Sequence, residues 1–478
     1  MTRTSEQYDL VVVANRLPVD RAGDGDDGWR PSPGGLVTAL RPVVAARGGA
    51  WIGWSGDAGD APPPFTMDGM RLVPVALSAD EVACHYEGQS NGTIWPLYHD
   101  AIAHPVFHRT WRTAYGAVNE RFARAAADIA APGATVWVHD YQLQLVPGML
   151  RALRPDLRIG FFLHIPFPPV ELFMRMPMRT EIVRGLLGAD LVGFQRPGGA
   201  RNFLQVTRRL LGLRTHDSRV TYQGRTVSAA AFPISIDVAE IEALAEDPEV
   251  QTRAKEIRSE LGDPDTVLLG VDRLDYTKGI EQRLIAFDEL LAGGHLNCRR
   301  SVLVQVATPS RERVAQYHEL RQRVNGMIGR INGDHGRVGQ PAVHYLYQSL
   351  PRRDLVALYL AADVMVVTPL RDGMNLVAKE YVAARLNDDG ALVLSEFAGA
   401  AADLPQAYLV NPYDIEGVKQ TLLQAVHADR AERARRIRAM RRHLRTHGVD
   451  RWADSFLSEL TGGRSDTAAD QRFTIRSA

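Results

Sequence analysis

Cysteine is nearly absent: Cys84 and Cys298 are the only two in 478 residues, and they lie far apart. No disulfide framework can be drawn from them, which fits a reducing compartment. Net charge is absent too, since 56 Lys and Arg balance 56 Asp and Glu. No global field draws the chain to nucleic acid or to an anionic membrane, so any anion site must be local. Long apolar runs are missing. The N-terminal one spans five residues between Asp9 and Asn15, too short for a signal peptide, and reads as a first β-strand. LVALYLAADVMVVTPL is interrupted by Asp363, so no membrane span is expected. These absences lead us to expect a cytoplasmic globular protein.

What is there is a recurring alternation. Short β-branched runs (DLVVVAN, AWIGW, ATVWVHD, RIGFFLH, DLVGFQ, then TVLLGVD, VLVQVAT, VHYLY, DVMVVTP, ALVLSE) are each followed by a longer helical pattern. Near-continuous apolar strands alternating with amphipathic helices imply parallel α/β sheets covered on both faces. A helical stretch, roughly Asp237 to Asp263, separates two such series, and the length asks for two domains. The expected division is 1–236, a Rossmann-like domain; 237–450, a second; 451–461, a helix packing back on the first; and 462–478, a flexible tail. Arg21 to Pro33 reads as a mobile loop.

In such sheets ligands lie beyond the carboxyl ends of the strands. The polar residues there are Asn15-Arg16, His139-Asp140, His164, Gln195, Asp272-Arg273, Thr308 to Arg311, and Arg371-Asp372. TPLRDGMNLVAKEY places Asp372 before a helix and Glu380 on its second turn. Amides opening that helix would accept a phosphate, and the two carboxylates would accept from sugar hydroxyls, which together describe a nucleotide sugar. VDRLDYTKG adds Arg273 and Lys278, of the right type to clamp a diphosphate. The bland alternative pairs these cations with Asp272 and Asp275 at the surface, and makes Asp372 a helix-dipole residue and Glu380 an exposed one. A second set, Arg16, Trp51, Trp54, Tyr86, Trp95, Asp140 and His164, suits a carbohydrate; for Trp54 a core position is the better reading.

Two tempting features are set aside. His99, His104 and His108 lie close together, but Pro105 breaks their spacing and no acidic or cysteine partner is evident, so polar surface histidines are expected. Eight arginines between Arg430 and Arg445 read as a solvated helix, because no nucleic-acid motif accompanies them.

The ordered series ANRLP, PGGL, WIGWSG, SNGTIWPLYH, VHDYQL, GFFLHIPFP, GFQ, VDRLDYTKG, TPSR, GRINGDHG, TPLRDGMNLVAKEY, FAGAA and NPYD resembles the trehalose-6-phosphate synthase family, retaining glycosyltransferases of the GT-B type. The resemblance implies two Rossmann-like domains facing a central cleft. It implies a nucleoside diphosphate glucose donor, with the base open, and glucose 6-phosphate as acceptor. Asp372 with Gly373, Met374 and Asn375 would bind the donor glucose, and His164 its 6-hydroxyl. Arg273, Lys278 and the amides of Leu376 and Val377 would hold the diphosphate, Glu380 the ribose, and Gly34 and Gly35 a closing loop. Arg16, Tyr86 and Arg311 would bind the acceptor phosphate, and Trp95 and Asp140 its ring, with Trp51 nearby. Transfer would follow a front-face internal return in which the leaving phosphate deprotonates the incoming hydroxyl, with no metal and no cofactor. Homo-oligomers, dimer or tetramer, occur in the family. Gln89 and Gln142 depart from the family pattern. Two rivals share the fold: a pseudo-glycosyltransferase coupling cyclitols, and a non-catalytic sugar-phosphate sensor.

Overall fold

The computed structural model describes residues 6–21, 28–32 and 35–462. Most of the expected loop between Arg21 and Pro33, Gly34, and all but Gly462 of the expected tail lie outside the described residues. Two compact units are present. The first takes the described residues up to Tyr98, then Pro105–Ile234, then the described residues from Val449; the second takes His99–His104 and Ser235–Gly448.

The first unit is built on a sheet whose parallel strands are β1 (Tyr8–Arg16), β2 (Ala50–Trp54), β3 (Met70–Pro74), β4 (Ala130–His139), β5 (Arg158–Leu163), β6 (Leu191–Phe194) and β7 (Arg225–Ala231). Their spatial order is 3-2-1-4-5-6-7, with antiparallel strands added at both edges. Leu10 to Val13 of β1 are buried without alternation, as a strand covered on both faces requires. The order reverses between β1 and β4, so the crevice at their carboxyl ends is where a ligand binds in this architecture. Arg16 ends β1, and Asp140 follows β4.

Helix Val449–Thr461 lies on this sheet through Phe456, which stacks on Trp137 at 4.5 Å. Two strand glycines make room for it: a Cβ at Gly160 or Gly193 would meet the Phe456 ring at 2.7 Å. That close approach is why GFF and GFQ carry glycine in otherwise bulky apolar strands.

The second unit has a six-stranded, all-parallel sheet: β8 (Thr266–Arg273), β9 (Ser301–Thr308), β10 (Val343–Leu346), β11 (Val364–Val367), β12 (Ala391–Ser395) and β13 (Tyr408–Val410). The order is 10-9-8-11-12-13, so here the reversal falls between β8 and β11. Their carboxyl ends lead into DYTKG and TPLRDG.

Several arginines of the helix Arg430–Thr446 pair with acids of the same unit. Arg433 pairs with Asp389 at 2.7 Å, and Arg441 with both Glu242 and Asp388 at 3.0 Å. No helix among the described residues is long and apolar enough to cross a membrane.

Candidate active site

The turn after β8 and the turn after β11 are bolted together by one backbone and one side-chain hydrogen bond. Leu370 N donates to Thr277 O at 2.7 Å, and Thr368 Oγ1 to Gly279 O at 3.0 Å. Gly279 has φ +62°, and a Cβ there would lie 1.9 Å from Thr368 O. Only glycine permits that approach. The consequence is that Lys278 Nζ donates to Asp372 Oδ2 at 2.6 Å, joining residues 94 positions apart. Burial raises the Asp372 carboxyl, but Lys278, by charge and hydrogen bond, outweighs it and leaves the pKa below the ordinary value.

Asn375 caps the helix Leu376–Ala384: its Oδ1 accepts from Ala378 N at 3.0 Å, and its Nδ2 donates to Asp372 Oδ2 at 3.2 Å. With φ 99° and ψ 91° it holds a backbone conformation that L residues rarely adopt. Leu376 and Val377 are the first two residues of that helix, so their amides precede any intrahelical acceptor. FAGAA supports the turn from the other side. Asp372 N donates to Phe397 O at 3.2 Å, and Ala400 N to Met374 O at 2.9 Å. Met374 is buried, and Gly373 faces Gly399 so closely that a Cβ on the latter would sit 2.0 Å from Gly373 O.

The surface-pair alternative does not describe these cations. Asp272 is buried and taken by Arg283 at 2.8 Å, whose guanidinium also donates to Gln305 at 2.7 Å. Asp275 is wholly buried; it accepts from Arg311 at 3.2 Å and from Tyr317 Oη at 2.9 Å, with Arg273 at 3.9 Å. Burial raises Asp275, yet Arg311, Arg273 and Lys278 together drive its pKa well below the ordinary value. Arg273 itself is exposed and lies 3.5 Å from Ser310 Oγ. Glu380 is buried, not exposed: Tyr359 Oη donates to it at 2.9 Å, and Arg352 stands 3.7 Å away. Burial raises its pKa, and Arg352 and Tyr359 offset that only in part. Arg311, expected with the acceptor set, belongs to the second unit beside Asp275.

In the first unit, Arg16 donates to Asp20 at 3.0 Å, and its guanidinium lies 5.1 Å over the Trp54 ring. Trp54 meets Tyr86 edge-on at 5.6 Å, so this tryptophan is buried yet packs against two candidate residues. Trp51 requires a correction. It is 0% exposed, and its indole N–H donates to Arg16 O at 3.0 Å. It presents no surface to a ligand and instead holds the backbone of Arg16.

Tyr86 lies on an unusual element, a π-helix over Val82–Ile94, which runs into the short helix Trp95–Tyr98. Trp95 is buried, 5.6 Å from the Tyr141 ring. Gln89 is buried, its amide 3.2 Å from Met178 Sδ, and Gln142 is buried within the turn Tyr141–Leu143 that follows β4. Asp140 has φ 74° and ψ 172°, a region otherwise nearly reserved for glycine. The strained turn lets Asp140 Oδ1 accept from His164 N at 3.1 Å. His164 lies among Phe162, Trp452 and His139, and burial pushes its pKa down to about 3.

Several neighbours escaped the sequence reading. Arg283 and Gln305 brace the strand ends from within the core, where charged and amide side chains are not expected. His99 is not a surface histidine: it is 1% exposed, belongs to the second unit, and lies near enough to Asp372 to favour its charged form. His104 and His108 are exposed, and no group of three or more His, Cys, Asp or Glu among the described residues could hold a metal ion.

A match to glycosyltransferase family 20 runs over residues 8–462. A trehalose-6-phosphate synthase of Mycolicibacterium gilvum (strain PYR-GCK) is 60% identical over 473 residues, covering 95% of this chain and 94% of its own. Among solved structures, the UDP-forming α,α-trehalose-phosphate synthase of Burkholderia xenovorans in complex with glucose-6-phosphate superposes with a TM-score of 0.88. It is 34% identical and covers 95% of this chain and all of its own. An E. coli structure bound with UDP-2-fluoro glucose gives a TM-score of 0.87 at 34% identity, covering 94% of this chain and 98% of its own. With that span, that identity and both strand-order reversals furnished as described, the chain belongs to glycosyltransferase family 20, and the Rossmann-like α/β fold expected from its motifs is the fold it has.

Proposed function

We propose that this enzyme transfers glucose from a nucleoside diphosphate glucose to glucose 6-phosphate, giving α,α-trehalose 6-phosphate and nucleoside diphosphate, with retention and without a metal. The observation that carries this reading is the 2.6 Å Lys278–Asp372 pair at the reversal of the second sheet, directly before the helix that opens at Leu376. Lys278 has three donors and spends one on Asp372, leaving the others for a diphosphate. Arg273 and the first helix amides add to the same anion site, while Asp372 accepts from glucose hydroxyls and Glu380 from the ribose.

In the first unit the acceptor phosphate goes to Arg16 and Tyr86, and its ring to Trp95 and Asp140. The names of the relatives and the ligands in the two solved structures support these substrates. In the transfer step the bond from the anomeric carbon to the leaving phosphate breaks as the acceptor oxygen approaches from the same face. The departing phosphate takes the hydroxyl proton. Lys278 and Arg273 stabilise the charge developing on that phosphate, the work a divalent cation would otherwise do.

The deciding assay incubates the enzyme with UDP-, GDP- or ADP-glucose and glucose 6-phosphate in EDTA, following trehalose 6-phosphate and its anomeric configuration by NMR. Turnover with at least one donor and α,α-product is expected. A β-linked product, a requirement for added metal, or no transfer from any of the three donors would overturn the corresponding part of the proposal.

A further inference from the structure

We propose that His139 is a positioning residue that fixes the ring tautomer of His164, so that His164 offers a substrate an Nδ1–H donor and cannot accept a proton there. His139 Nδ1 lies 3.1 Å from His164 Nε2, with the rings nearly parallel at 5.4 Å. One of these two nitrogens must carry the proton of that bond. The other nitrogen of His139, Nε2, decides which: it is buried with no hydrogen-bond partner. The ring is packed against Trp137 at 4.7 Å, whose indole N–H is likewise unpartnered, and near Phe162 at 6.5 Å, neighbours that offer no acceptor.

A buried N–H with no acceptor costs more than a buried lone pair with no donor, which is why orphaned N–H groups are the rarer of the two. The proton of His139 therefore resides on Nδ1 and is donated to the Nε2 lone pair of His164. His164 must then carry its own proton on Nδ1. Both rings are neutral, because burial, and for His139 also the neighbouring His164, disfavours the imidazolium form. The remaining polar contact of this residue is on its backbone, where His164 N donates to Asp140 Oδ1 at 3.1 Å, so Asp140 does not compete for either ring nitrogen.

The chemical consequence concerns the transfer step. A His164 whose unused nitrogen is a donor can bind a sugar oxygen lone pair, but it cannot serve as general base toward the acceptor hydroxyl. That leaves the proton to the departing phosphate. The identity of the oxygen rests on the glucosyl transfer proposed above; the tautomer does not.

The test is a long-range proton–nitrogen correlation spectrum of the histidine-labelled wild-type enzyme, with His164 assigned by its loss in His164→Asn. Protonation at His164 Nδ1 with a bare Nε2 is expected; protonation at Nε2 would overturn the proposal. Kinetics of two variants give a second reading. His139→Asn places an amide N–H where Nδ1 stood, whereas His139→Leu cannot donate. His139→Leu should lower kcat/KM roughly tenfold to a hundredfold, and His139→Asn distinctly less. Equal losses in the two would reject a positioning role even if both proteins fold. Should wild-type enzyme transfer no glucose at all, the functional proposal fails while the spectrum still decides the tautomer.

Discussion

Lys278 and Arg273 are both cations of one motif, yet the structure gives them different surroundings, so their removal should read differently. Arg273 is exposed and stands 3.9 Å from Asp275. Arg273→Ala should therefore leave thermal stability close to wild type while lowering kcat about a hundredfold or more, the scale of losing one preorganised donor to a developing charge. Lys278→Ala should lower kcat similarly and in addition destabilise the fold by about 1–3 kcal/mol, because the largely buried Asp372 loses its charged partner and keeps the Asn375 amide. Steady-state kinetics beside calorimetry separates the two; near-normal turnover in either variant would remove that residue from the machinery. The spacing of Asp372 and Glu380 was legible because acids flanking a helix start are a local pattern. The Asp272–Arg283–Gln305 brace was not, since a buried arginine looks like a surface one until the fold supplies its partners. Trp51 was misplaced for a related reason: an aromatic beside a candidate site packs behind it as readily as in it.

Among elements, strands were the most readable, because both-face burial leaves near-continuous apolar runs that no amphipathic helix would show. Arg225–Ala231 (RTVSAAA) escaped because alanines carry no β-branched signal, and the π-helix Val82–Ile94 because VACHYEGQSNGTI has no helical apolar period. FAGAA was visible as a motif but not as a structural partner of the RDGMN turn, a contact that only the adjacency of β11 and β12 creates. That contact is testable. Gly399→Ala would place a Cβ 2.0 Å from Gly373 O, and backbone cannot move aside as a side-chain tip can. A cost of about 1–3 kcal/mol is expected for such overpacking. Because the displaced atoms belong to the turn that carries Asp372, KM for the nucleotide sugar should rise severalfold while KM for glucose 6-phosphate stays near wild type. An unchanged donor KM would show that FAGAA does not position the turn.

At the scale of the whole molecule the two units should respond to acid to different degrees. The first unit buries three neutral histidines: His85 and His164, each pushed down to about 3 chiefly by burial, and His139, pushed well below its ordinary value by burial and by His164. Each binds its proton more weakly in the folded than in the unfolded chain. The unfolded chain therefore holds more protons below the unfolded pKa near 6.5, and stability falls as pH falls, by roughly 1.4 kcal/mol per pH unit for each histidine. The loss begins near pH 6.5 and continues towards pH 3. In the second unit the shifted acids are silent over the upper part of that range or work the other way. Asp275 and Asp372 are depressed, so their contribution is intact above about pH 4. Glu380 and Asp100 are raised by burial, so protonation on acidification favours the folded state. His344 of the second unit is also lowered by burial, so between pH 6.5 and 4.5 the second unit should lose some stability and the first, with three such histidines, more. Hydrogen exchange at pH 7.5 and 5, corrected for intrinsic rates, should show protection falling further in β4 (Ala130–His139) than in β8 (Thr266–Arg273). Equal losses in the two strands, or an earlier loss in β8, would show that the buried histidines do not set the acid limit.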